Sequence, residues 1–439
     1  MIRRCLTLVT SFIILMGCFL FNPIIRAEQT NLRVTIYVNA NNTVGPWDGT
    51  LQHPYQHIQD GINNATIGDT VFVFSGYYYE KVSITKNINL IGQDQNTTTI
   101  SYWGSSYKDN IVYINGENIQ ISHFSIILNN GTSNALFLSH ANNCNIFSLF
   151  IHSSWGLLLD KSSNNCISNS IISTINGGIN IATNQSQYNL VKGNYFTNIG
   201  NHSQSYNYGV FILFGATNNI ISENTFKDCQ HDSIITQNVV KNVIEKNIII
   251  GNKSKSQNGI CLTYLQDNIP NGNIVRQNII TNCTECGIVS GIDGNTIIGN
   301  HIDHCGYGMS ISTNFITEKN NTIRYCNVGQ DIRFASFPTI FQGNIYDHCT
   351  EGIETWNCNL IHFDRNIFSN DTYGIISHVS NFNLFFHNNF MNNKNDVFQQ
   401  ISRNLWLHNY WSQPRLLPKP IFGILPFVQF DWLPAQHPN

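Results

Sequence analysis

From Asn194 onward the chain repeats one short pattern, an Asn, any residue, then an apolar residue. Asn194, Asn224, Asn247, Asn278, Asn300, Asn321, Asn344, Asn366, Asn388 and Asn409 head it, with steps of 21 to 23 residues over the last seven and up to 31 upstream. Two positions later stand Phe196, Phe226, Ile249, Ile280, Ile302, Ile323, Tyr346, Phe368, Phe390 and Trp411. Five positions ahead a second Asn recurs at Asn189, Asn219, Asn242, Asn273, Asn295, Asn383 and Asn404, followed by its own apolar residue. Such runs, apolar and polar in alternation and bounded by Asn or Gly, predict strands of three to five residues. No helical periodicity of useful length follows residue 66. Before it, "HPYQHIQDGINNA" puts Tyr55, Ile58, Ile62 and Ala65 on one helical face with Pro54 at its start.

A unit of about 22 residues made of short strands cannot bury its own apolar face, but stacked copies can. The pattern therefore predicts an all-β fold, a single-stranded parallel β-helix whose coils lie ~4.8 Å apart and whose equivalent residues form vertical columns. Asn at the bends would pass hydrogen bonds from coil to coil, satisfying backbone that would otherwise be buried unpaired. Both ends of a solenoid expose sheet edges that need covering. The expected organisation is a leader over 1–27, an N-terminal cap with first coils over 28–105, coils over 106–411, and an irregular Pro- and aromatic-rich cap over 412–439.

Composition narrows the function classes. Charged residues make up 11% of the 439 and the formal charge is −3, which argues against a broad nucleic-acid surface. Asn takes the place of charge, at about one residue in seven. Arg3 and Arg4, an apolar run from Leu6 to Leu20 and the small Ala27 form a secretory leader, with cleavage expected after Ala27. If uncleaved, this segment would be the chain's one membrane contact. Sequons such as Asn130, Asn201 and Asn320 fit export to the cell surface, periplasm or medium. No nucleotide-binding Gly loop, H-E-x-x-H pair or serine-nucleophile motif occurs.

The triplet Asp-His-Cys appears at Asp303–Cys305 and again at Asp347–Cys349. Column assignment makes it structural: Cys283, Cys305, Cys326 and Cys349 fall on consecutive coils as an inward thiol stack, Asp303, Arg324 and Asp347 as an outward charge ladder. Chemistry is expected instead after the Gly308, Gly329, Gly352, Gly374 column. There Ser310, Asp331 and Glu354 line up, beside Arg333, Trp356 and His378. Stacked carboxylates raise one another's pKa, and a separation near ~5 Å is that of retaining glycosidases. Asp331, Glu354 and Arg333 are thus the candidate catalytic residues, Arg333 otherwise serving only to compensate the paired carboxylates, and Trp356, His378 and Ser310 are the candidate binding residues. The alternative is soft-metal binding at Cys283, Cys286 and Cys305.

"TIYVNANNTVGPWDGTLQHPYQHIQDGINNATIGDTVFVFSGYYYEKVSI", the "N-x-I…N-x-I-x-x-C-x-x-G-I" coils and "NYWSQP" resemble the exported right-handed parallel β-helix proteins of the NosD-type and carbohydrate-associated repeat families, with a pectin-lyase-like fold. The resemblance covers nearly all of the chain after the leader. It implies a right-handed helix; for the catalytic relatives it implies a carbohydrate groove along a strand face with an Arg able to act as base, and for the NosD type it implies copper. Where relatives carry acidic clusters after the first strand and after Tyr-Trp, this chain has "NANN" and Ser412-Gln413, which disfavours a hard cation there. The leading expectation is a non-catalytic scaffold without cofactor, presenting a wall to a polysaccharide, a glycoprotein surface or another cell-surface protein. The alternatives are a polysaccharide lyase or glycoside hydrolase on the Asp331/Glu354 face and a periplasmic copper accessory protein.

Overall fold

The computed structural model describes residues 33–103, 109–128, 133–200, 207–252, 257–263, 272–336, 339–424 and 428–439. The leader, Ala27, Asn130 and Asn201 lie outside the described residues. The chain divides at Val34, and the unit Thr35–Asn439 carries the fold.

That unit is a parallel β-helix with three walls. Among the described residues, one sheet of 15 strands makes a single wall, and a sheet of 31 strands makes the other two. In coil after coil the order is the same: Thr317–Lys319 on wall one, Thr322–Arg324 on wall two, Val328–Arg333 on wall three, then Ile340–Gln342, Ile345–Asp347 and Glu351–Trp356. Each strand pairs in parallel with its equivalent one coil on, as in Ile302↔Ile323↔Tyr346↔Phe368. Early in the chain the corner is missing. Asn145–Ser153 runs straight through and pairs with both Cys166–Ser168 and Ile171–Thr174.

The later corner is made by the Asn column. The backbone N–H of Asn300 donates to Oδ1 of Asn321 at 2.9 Å, Asn321 to Asn344 at 2.9 Å, Asn344 to Asn366 at 3.0 Å, and so on to Asn409. The Nδ2 of Asn321 donates back to Ile297 O and on to Asn344 Oδ1. The residue before each ladder Asn takes the left-handed conformation that turns the chain, among them Gln277, Asn320, Arg365 and His387. The second Asn column does the same from Asn165 through Asn189, Asn219, Asn242 and Asn273 to Asn295.

The core is a set of stacks. Phe341, Phe363, Phe385 and Trp406 lie ring on ring at 5.1, 4.6 and 4.1 Å, and Tyr346, Phe368, Phe390 and Trp411 at 5.1, 4.9 and 4.4 Å. The expected helix spans Ile58–Asn64 and buries Ile58 and Ile62. Pro54 sits ahead of its N-cap, His57, which supplies no side-chain cap. The Glu80 carboxylate does so from the next segment, accepting the N–H groups of Ile58 and Gln59 at 2.8 and 3.0 Å. The C-terminal cover is more ordered than expected, with an antiparallel hairpin of Lys419–Ile421 and Gln429–Asp431. Among the described residues no helix is long and apolar enough to cross a membrane.

Candidate active site on wall three

In the later coils of wall three the second residue of the strand is a glycine, at Gly308, Gly329, Gly352 and Gly374, because the coils approach too closely there for a side chain. A Cβ on Gly308 would lie 2.4 Å from Gly329 O, and one on Gly329 2.5 Å from Gly352 O. With that edge fixed, the outward columns follow in register: Ser310↔Asp331↔Glu354↔Ile376, and Arg333↔Trp356↔His378. The predicted residues are therefore neighbours, as their spacing requires.

Their partners differ from the simplest expectation. Arg333 compensates Asp331 within its own strand, its Nε donating to both carboxylate oxygens at 3.0 and 2.8 Å. Asp331 is only 5% exposed although it belongs to an outward column. Burial raises its pKa and the charge of Glu354 adds to this, against the pull of Arg333. Glu354 faces His378, Oε1 to Nε2 at 3.4 Å, and the other imidazole nitrogen of His378 lies 2.9 Å from Gln400 Oε1. The His378 ring stacks on Trp356 at 3.9 Å, so one face of that indole is already covered.

Glu351, which the sequence reading passed over, stands at the start of the same strand as Glu354, half-buried. Burial raises its pKa, and Glu354 and Asp331 push it further while His378 opposes them. Its signal lies in the column Tyr307, Val328, Glu351, Tyr373, where an acid interrupts aromatic and apolar residues. Three carboxylates, one guanidinium and one imidazole thus share this stretch. Beneath it, inside the tube, the three walls each contribute one polar group. Gln330 donates to Glu318 Oε2 at 2.7 Å and accepts from the Tyr346 hydroxyl.

The repeated triplets are structural elements of the corner. Asp303, Arg324 and Asp347 stack in register, and His304, Tyr325 and His348 stack as rings at 5.0 Å steps. Cys283, Cys305, Cys326 and Cys349 are buried free thiols. The hydrogen bond that the Cys305 thiol donates to the neighbouring Cys283 sulfur pushes its pKa up, and burial does the same to Cys286. The metal alternative at Cys283, Cys286 and Cys305 finds no support in this geometry: among the described residues no group of three or more His, Cys, Asp or Glu side chains is placed to hold a metal ion.

No curated protein matches the chain. Among solved structures it is similar to the Dettilon tailspike protein, at 13% identity over 80% of this chain and 66% of that one with a TM-score of 0.52. It is also similar to the tailspike of E. coli bacteriophage HK620, solved with a pentasaccharide, at 12% identity over 84% and 78% of the two chains with a TM-score of 0.51. An alginate lyase from Paenibacillus sp. aligns over 74% of this chain and 97% of its own at 16% identity, with a TM-score of 0.42. The family described as "Right handed beta helix region" matches residues 125–302 and 268–409, and with its coils, ladders and walls as described the chain belongs to the right-handed β-helix family.

Proposed function

We propose that this chain is a carbohydrate-active β-helix protein that hydrolyses a glycosidic bond on wall three, with Glu351 as general acid and Glu354 as base. The carrying observation is a half-buried carboxyl group, Glu351, with raised pKa and no ion pair among the described residues, on the same strand as the Glu354–His378 pair. A carboxyl whose surroundings favour its protonated form can donate to a leaving oxygen, and a second carboxylate can activate water or stabilise the positive charge of the sugar ring. Three carboxylates against one guanidinium repel an acidic sugar at the reacting position, which disfavours lyase chemistry on a uronate there. Asp331, tied down by Arg333, shapes the field and holds no reacting proton. The pentasaccharide bound to the HK620 tailspike accords with a saccharide ligand on this fold.

The test is incubation with a panel of neutral and mixed polysaccharides, read as new reducing ends. Glu351→Gln and Glu354→Gln should each cut the rate by roughly 100-fold or more while far-ultraviolet circular dichroism stays unchanged. Unsaturated products absorbing in the ultraviolet would replace the hydrolase reading with a lyase. A second reading, the non-catalytic scaffold, is favoured by the covered Trp356 ring and the Arg333 clasp on Asp331. Retention of a glycan with no cleavage would select it. Export through the 1–27 leader belongs to this proposal in either form.

A further inference from the structure

We infer that the cleft between the last coils of wall three and the C-terminal hairpin is a subsite for a saccharide unit bearing an anionic group. This rests on the reading of wall three as a glycan-processing face and extends it to a substrate class: a mixed polysaccharide, uncharged where it is cut and acidic about two coils further on.

The cleft encloses about 410 Å³, a volume within the range of ligand pockets. It lies on the same face as the carboxylates. Tyr373 follows Glu351 in register, and Phe398 follows Glu354 by two coils through Ile376. At ~4.8 Å per coil the cleft thus begins ~5 Å along the axis from the reacting groups, at Tyr373, and its Lys394–Phe398 side lies ~10 Å away. Tyr373 and Phe398 meet edge to face at 6.4 Å and Phe422, 65% exposed, stands opposite on the cap. Aromatic surface of this kind suits the apolar face of a sugar ring.

Charge then selects among sugars. Lys419 is already engaged, 3.1 Å from Asp396 Oδ2 and 5.2 Å above the Trp411 ring. Lys394 lines the same cleft and has no ion pair among the described residues. Two ammonium groups against one carboxylate leave an excess of one positive charge, the reverse of the balance around Glu351 and Glu354. A pocket with an aromatic wall and one unmatched ammonium fits a carboxylate- or sulfate-bearing sugar, held by a charge-assisted hydrogen bond. The arrangement exists because the glycine column ends at Gly374. Asp396 occupies the next position, where no further coil presses down, and its side chain reaches Lys419.

The experiment is equilibrium binding of hexasaccharides of equal length, neutral, glucuronate-containing and sulfate-bearing, to the wild-type chain and to Lys394→Gln. The acidic probes should bind the wild type more tightly, and the variant should lose roughly tenfold on them with neutral probes unchanged. The stronger of the carboxylated and sulfated responses identifies the anion. Equal binding of all probes by the wild type, or a loss in the variant that extends to neutral probes, overturns the subsite. Repeating the series in Glu354→Gln separates the two proposals. A Lys394-dependent preference for acidic probes without cleavage by the wild type keeps the subsite and refutes hydrolysis, whereas cleavage without that preference does the opposite.

Discussion

A single side chain shows how the repeat constrains chemistry. Glu318 falls in the inward column between Ile297 and Phe341, where the pattern calls for an apolar residue. It is fully buried, hydrogen-bonded by Gln330, and burial pushes its pKa up to about 8. In the unfolded chain it ionises near its ordinary 4.5, while folded it keeps its proton. Unfolding therefore releases a proton between those two values, and stability falls as pH rises from about 4.5 to 8, then changes no further from this group. Asp371, pushed up to about 9 by burial and the neighbouring Cys349, acts in the same direction. Thermal unfolding followed from pH 5 to pH 8 should show a falling midpoint, and Glu318→Gln should make the fall shallower. An identical slope in both proteins would remove Glu318 from this role. The acid at an apolar position is visible in "TEK", but its partners are not, since Gln330 and Tyr346 arrive from the other two walls.

Elements here are too short to be stable by themselves. Three-residue strands persist because Asn ladders and core stacks tie them to the coils on either side. Columns were therefore readable from spacing, including Asp303, Arg324 and Asp347 and the Ser310, Asp331, Glu354 line. Corners were less readable. Non-glycine residues such as His304, Tyr325 and His348 adopt left-handed backbone there, at a cost of ~1–2 kcal/mol each that the ladders offset. The glycine column is the tightest element-level constraint. Gly308→Ala would press a methyl group against Gly329 O and force the coils apart, costing about 1–3 kcal/mol. The expected outcome is a lower thermal midpoint, and an unchanged midpoint would mean that the coils have room the geometry denies them. The helix gives the complementary lesson. Its apolar face was legible, whereas its cap, Glu80, is 22 residues from Ile58 and belongs to another segment.

For the solenoid unit as a whole, the ends decide solubility. The Asn ladder stops at Asp431, whose Oδ2 accepts Asn409 N, Asn409 Nδ2 and Trp411 Nε1 at 2.9, 3.1 and 3.1 Å. The two aromatic stacks also end there, with Trp406 and Trp411 almost fully buried. A chain ending at Trp411 would expose both rings and an open sheet edge. It should associate or precipitate where the full chain stays dispersed, measured by light scattering at equal concentration. A monodisperse truncated chain would show that the cap is dispensable. The sequence by itself determined the coil length, the columns, the strand-by-strand order and the inward or outward sense of most side chains, because a repeat fixes register through local spacing. Only the tertiary structure decided which groups meet across the tube and beside it: the Glu318, Gln330 and Tyr346 contact, Trp356 lying against His378, Glu351 within reach of the charges of Glu354 and Asp331, and Lys394 in the cleft under the cap. Those meetings depend on corner angles and side-chain rotamers set by packing between distant segments, and no spacing along the chain encodes them.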